Sequence, residues 1–263
     1  MLPQQLRGGA VSESVLRERR GRILVITINR PEARNAANKA VAEGLAAACD
    51  ELDETPELSV AVLTGAGGNF CSGMDLKAFA AGELAYVPGR GLGFTERPPT
   101  KPIISAVEGF AVAGGTELVL ATDLVVAARG ATFGIPEVKR GLVAAGGGLL
   151  RLRQRIPYQK ALELALTGAT FTAEQGESWG FVNVLTEPGE ALAGALELAE
   201  QITANGPLAV AVTKDIMVRS VDWSQDEMWH KQNELIMPVF TSHDAKEGAI
   251  AFAEKRAPNW TGA

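Results

Sequence analysis

Residues 102–128 read PIISAVEGFAVAGGTELVLATDLVVAA, and the order of features in this stretch decides the fold class. Pro102–Gly109 has the apolar and β-branched density of a buried strand. Gly114 and Gly115 interrupt the run where a helix begins, and Asp123–Gly130 returns to strand character. A strand, a glycine turn, a helix and another strand in close succession mark an α/β protein. The stretch also carries a charge, Glu117, inside an otherwise apolar helix.

A helix that starts at Gly114 leaves its first backbone N–H groups without intrahelical partners, and glycine lets another group approach them. Such a start receives anions. Glu117 lies one turn further on, on roughly the same face as Gly114, beneath whatever those N–H groups hold. A carboxylate in a first turn also gains about 0.3–1 kcal/mol from the helix dipole. Local features therefore support a stabilising glutamate and a functional one equally.

Working outward, ILVITIN (23–29) and SVAVLTG (59–65) read as further strands, and Asn38 to Thr55 as a helix with Asn38 as its N-cap. The loop AGGNFCSGMD leads into a helix near Asp75. The strand, glycine turn and helix order thus occurs three times, compatible with a repeated ββα unit. Residues 82–101, broken by glycines and prolines, read as a mobile loop. Beyond Gly141 the chain reads as helical, and its last part as three successive helices with Trp223, Trp229 and Phe240 on apolar faces. The division expected is a core over 1–204 and a helical packing region over 205–263.

The 263 residues carry 31 acidic and 25 basic side chains, a formal charge of −6. That balance argues against a long electropositive surface for nucleic acid. Cys49 and Cys71 form neither a disulfide framework nor a metal-ligand spacing, which fits a reducing cytoplasm. Neither a secretory leader nor a run of eighteen apolar residues is evident. No membrane association is expected.

Two more segments bear on Glu117. NFCSGMDLKAF (69–79) leads from a glycine-bearing loop into a helix and presents the N–H of Met74. FGIPEVKRGL (133–142) restrains the backbone with Pro136 just ahead of a second carboxylate, Glu137. Two backbone donors from separate segments can converge on one carbonyl oxygen, as an oxyanion hole requires. Two glutamates beside them make an acid–base site.

These segments, with NRPEARNA, LTGATFTAEQGESWGFVNVL and DAKEGAIAFAEKRAPNW, closely resemble the crotonase superfamily of enoyl-CoA hydratases and isomerases over nearly the whole chain. The resemblance implies a spiral of ββα units with a C-terminal helical trimerisation region, assembling as a homotrimer or a dimer of trimers. It implies that the N–H groups of Met74 and Gly114 hold a thioester oxygen and that Glu117 and Glu137 are the catalytic pair. Ala33, Arg34, Met74, Asp75, Leu76, Lys77, Gly114 and Pro136 would bind the acyl-CoA, with Arg34 near adenine. Phe252 and Lys255 match positions that reach CoA from a neighbouring subunit.

Departures from the family pattern bear on substrate choice. Ala113 stands where a third glycine is common, and Met74 where many hydratases have alanine. LVAAGGGLLRL places Ala144 and Ala145 near the place of the catalytic water. Other motifs carry less. Lys77 alone would read as a solvated lysine, and Glu108 as structural. His230 and His243 have no G-x-S-x-G partner, and TGAGGNF (64–70) fails the dinucleotide fingerprint at its last position.

The implied activity is hydration of a 2-enoyl-CoA in fatty acid metabolism, as in β-oxidation, with CoA part of the substrate and no metal or other cofactor. A carnitinyl-CoA dehydratase-like hydratase and a 3,2-enoyl-CoA isomerase are the alternatives within the superfamily. A non-catalytic acyl-CoA-binding protein is the alternative outside enzymes.

Overall fold

The computed structural model describes residues 13–263; the expectation of no secretory leader falls largely on residues 1–12, outside that range. Among the described residues the strands are β1 Val15–Arg20, β2 Ile23–Ile28, β3 Val60–Gly65, β4 Ile103–Val107, β5 Phe110–Val112, β6 Leu124–Ala128, β7 Thr132–Gly134, β8 Thr170–Thr172 and β9 Val184–Thr186. The α-helices are α1 Lys39–Glu54, α2 Leu76–Ala80, α3 Gly114–Ala121, α4 Gly148–Arg155, α5 Tyr158–Thr167, α6 Ala173–Ser178, α7 Ala191–Thr203, α8 Pro207–Arg219, α9 Met228–Phe240 and α10 His243–Glu254.

A six-stranded sheet has the order β1-β2-β3-β4-β6-β9, parallel throughout except for the edge strand β1. Both of its faces are covered, which is why its inner strands read as unbroken apolar runs. Leu24, Ile26 and Ile28 join the cluster that includes Val41, Leu45 and Leu52 of α1. Ile23 and Val25 face the other way and join Ala191, Ala195 and Ala199 of α7. Asn38 starts α1 by accepting the Val41 N–H at 3.1 Å.

A second, three-stranded sheet has the order β5-β7-β8, and Cys71 extends it by an isolated bridge to Ala111. The chain therefore alternates between the sheets. β3 is followed by Cys71 and α2, β4 by β5 and α3, and β6 by β7 and a 3-10 turn over Pro136–Arg140. Gly109 makes one such step with φ +56°, where a side chain would meet the Gly68 carbonyl oxygen at 2.5 Å. This is the ββα spiral, and it brings Met74, Gly114 and Pro136 to one end.

The expectation for residues 82–101 needs correcting. They form no α-helix or strand, yet Leu92, Phe94 and Thr95 are buried. At Gly93 a Cβ would lie 2.6 Å from the Leu45 Cβ, so the backbone is pressed onto α1. Arg90 pairs with Asp50 of that helix. Residues 91–95 are a packed strap, because burial of Phe94 offsets their lack of regular hydrogen bonding, while most of 82–90 is exposed. The helical reading beyond Gly141 also missed β8 and β9, and the polar lead hid β1.

α7 ends at Thr203 and α8 begins at Pro207. Lys214 of α8 ties the C-terminal helices to the core, donating to the carbonyls of Pro99 at 2.8 Å and Lys101 at 3.0 Å and to Asp123 at 2.7 Å. Met217, Val221, Trp229, Met237 and Phe240 of this region are exposed. No helix among the described residues is long and apolar enough to cross a membrane.

Candidate active site

The parallel strands deliver their connections to one cavity of about 470 Å³. Met74, Leu76, Gly114, Glu117, Pro136 and Glu137 all line it. The two carboxylates and both residues expected to donate thus share one cavity. Ala33, Arg34, Asp75, Lys77, Phe252 and Lys255 are not among its lining residues.

Met74 and Gly114 come from loops pressed together. A Cβ on Gly114 would lie 3.7 Å from the Met74 nitrogen, and one on Gly73 would lie 2.7 Å from the Ala113 Cβ. Ala37 donates to the Gly73 carbonyl and accepts from the Asp75 N–H, both at 2.8 Å. That bridge skips the intervening Met74 N–H. Among the described residues, neither it nor the Gly114 N–H has a protein acceptor.

Ala113, just before α3, has φ 52° and ψ −126°. A residue with a Cβ is strained there, by about 1–3 kcal/mol. Two bonds hold it: its N–H donates to the Gly134 carbonyl at 2.8 Å, and its carbonyl accepts from the Glu117 N–H at 3.1 Å. The strained turn aims Gly114 at the cavity.

Glu117 is only 5% exposed, and its Oε1 accepts the Gly148 N–H at 2.9 Å. Gly146 and Gly148 are required for this approach. A Cβ on Gly146 would lie 2.8 Å from Glu117 Oε2, and one on Gly148 would lie 3.1 Å from Cγ and Oε1. Burial pushes the Glu117 carboxyl above its usual range, against the pull of the Gly148 and Gly146 amides and of Arg151.

Glu137 differs. Its Oε2 is buried and without a hydrogen-bond partner among the described residues. Burial raises its pKa most; its own N–H opposes the shift, the charge of Glu117 adds to it, and Arg140 opposes it. Both carboxyls line the same cavity.

Other side chains named from the sequence have settled roles. Asp75 caps α2 through the N–H groups of Lys77 at 3.1 Å and Ala78 at 3.2 Å, and pairs with Arg30 at 3.0 Å. Glu108 accepts the Gly189 and Ala191 N–H groups at 3.0 Å and so fixes the start of α7. Burial pushes the Cys49 thiol up to about 12 and the Cys71 thiol up to about 11, so neither is a thiolate nucleophile at neutral pH. Ala145 and Gly146 line the cavity, whereas Ala144 packs against the core.

Sequence reasoning did not name the apolar lining of the cavity. Phe79, Leu84, Tyr86, Leu92 and Val143 supply it, with Glu96 and Arg140 as additional charged groups. It also passed over Asn35, which is fully buried. Its amide donates to the carbonyls of Ala66 and Asn69 at 2.8 and 2.6 Å and accepts from the Arg30 N–H at 2.9 Å. The NRPEARNA turn thereby fixes the loop ahead of Met74.

A sequence profile described as enoyl-CoA hydratase/isomerase matches residues 18–263. The chain belongs to the enoyl-CoA hydratase/isomerase family. Among solved structures of this crotonase superfamily, the enoyl-CoA hydratase EchA1 of Mycobacterium marinum superposes with a TM-score of 0.95 at 65% identity, covering 96% of this chain and 100% of that one. Enoyl-CoA hydratase EchA19 of Mycobacterium tuberculosis is 44% identical over 92% of this chain and 94% of its own length. A carnitinyl-CoA dehydratase of Salmonella arizonae is 42% identical, covering 96% of this chain and 100% of its own.

Proposed function

We propose that the protein is an enoyl-CoA hydratase, adding water reversibly across the α,β double bond of a 2-enoyl-CoA. The observation that carries this reading is the presence of both Glu117 and Glu137 on one cavity beside two free amides. In hydration, a water oxygen bonds to Cβ and one of its protons passes to Glu117. The double-bond electrons move onto the thioester oxygen, held by the N–H groups of Met74 and Gly114. Collapse of this enolate takes a proton from Glu137 to Cα, and dehydration reverses each transfer. Loss of one oxyanion donor costs about 3 kcal/mol.

The two environments favour this division of roles. Burial raises both carboxyls, and they differ in their partners: Glu117 receives an N–H, which holds the base in place, while Oε2 of Glu137 has no protein partner among the described residues and meets the charge of Glu117, which suits the acid. All steps are proton transfers and oxyanion stabilisation, so the reaction as proposed needs no metal or redox cofactor. Lys77 and Arg34, exposed beside the site's loops, would meet the CoA moiety. Phe252, 88% exposed, and Lys255 after it are suited to reach CoA in a neighbouring subunit of a trimer or dimer of trimers. Two free, buried thiols fit a reducing cytoplasm.

The test is incubation with a panel of 2-enoyl-CoA and 3-enoyl-CoA substrates and identification of the products. The reading requires 3-hydroxyacyl-CoA from the 2-enoyl series. Conversion of 3-enoyl to 2-enoyl thioesters without hydration would make it an isomerase, and tight binding without turnover a non-catalytic acyl-CoA-binding protein.

A further inference from the structure

Thr116, between Gly115 and Glu117, is completely buried. Its hydroxyl oxygen is within donating reach of the carbonyls of Ala111 at 2.5 Å and Gly134 at 2.8 Å, and accepts the Gly134 N–H at 2.9 Å. Ala111 lies on β5, the strand that leads into the strained Ala113 turn and the Gly114 amide. Gly134 ends β7, the strand that leads through Ile135 and Pro136 to Glu137. The Gly134 carbonyl also receives the Ala113 N–H. One hydroxyl therefore joins the segment that aims the oxyanion donor, the segment that carries the acid, and the helix of the base.

We infer that Thr116 is a positioning residue whose hydroxyl fixes the Gly114 amide and Glu137 relative to Glu117; this rests on the hydratase reading above. Without the hydroxyl, the Gly134 N–H keeps only its ladder acceptor, the Ala111 carbonyl, and the Ala111 and Gly134 carbonyls lose a donor they share, so the end of β7 is held less firmly to α3. The Ala113 turn then loses the acceptor geometry that maintains its strain. Side chains that only fill space at this position would support the fold without holding the reacting groups in register.

Thr116→Val keeps the shape and removes the hydroxyl, while Thr116→Ser keeps the hydroxyl. The expected result is a kcat about 10–100-fold lower in the valine variant. Its KM, and the kcat of the serine variant, should stay within about threefold of wild type. A second signature is independent of hydration. A 3-ketoacyl-CoA bound in an oxyanion hole enolises and gains near-ultraviolet absorbance, which the valine variant should lose and the serine variant keep. If Thr116→Val does not fold, Thr116→Ala is read in its place. A hydroxyl-free variant matching wild type in both kcat and enolate absorbance overturns the inference, as does a serine variant as impaired as valine. A wild type without hydratase turnover removes the hydratase reading, and the enolate signal alone then decides the role of Thr116. A wild type with neither signal overturns both.

Discussion

Replacing Glu137 by leucine should make the protein more stable while abolishing its chemistry. Oε2 of Glu137 is buried without a partner, and an unmet buried polar group costs about 1–3 kcal/mol, more when charged. The like charge of Glu117 adds to the penalty. Leucine fills similar space, adds apolar contact with the wall of the cavity, and removes both terms. For a chain of this size, about 1–3 kcal/mol raises Tm by roughly 2–10 °C.

The pH dependence fixes the sign. Folding raises the Glu137 pKa above its ordinary value of 4.5, so the folded state binds more protons than the unfolded one and loses stability as pH rises from about that value through the raised one. The advantage of leucine is therefore full above that window and shrinks below it. Thermal unfolding of both proteins at pH 7.5 and pH 4, at equal protein concentration, measures this. A leucine variant less stable than wild type at pH 7.5, or an advantage that grows on acidification, would refute the reasoning.

Two further substitutions test the packing around Glu117 and the attachment of the C-terminal helices. Gly148→Ala puts a Cβ 3.1 Å from Cγ and Oε1 of Glu117; the crowding should cost about 1–3 kcal/mol of stability and about 100-fold in kcat by displacing the carboxylate, measured by unfolding and steady-state kinetics. Lys214→Met removes three hydrogen bonds and leaves Asp123 without its ion pair. It should destabilise by about 1.5–3 kcal/mol and speed proteolysis of α8–α10 ahead of the core.

The large sheet was legible because burial on two faces leaves a dense signature: the apolar runs of β2, β3, β4 and β6 need no long-range information to be read. β5, β7 and β8 are three residues each, too short for alternation to declare itself, and only their pairing makes them strands. Phe94 stood among glycines and prolines that masked its burial under α1. The glutamate of α3 could be weighed locally, since Gly114 and Glu117 are one turn apart. Glu137 was named beside Glu117 from the Pro136 turn, and the resemblance made the two a catalytic pair; what brings them to one cavity is the return of β7, which local sequence does not display. Asp75 was read with the CoA-binding loop, yet its carboxylate caps α2 and meets Arg30, forty-five positions away in sequence. The glycines at 146 and 148 carried no visible role until the carboxylate they accommodate was in place.

The most direct measurement compares Glu117→Gln and Glu137→Gln with wild type for hydration of a 2-enoyl-CoA, alongside binding of a saturated acyl-CoA. The account predicts that each substitution lowers kcat by about 10²–10⁴-fold while acyl-CoA affinity stays within about threefold. Wild-type turnover in either variant would contradict a mechanism in which both carboxyl groups move protons.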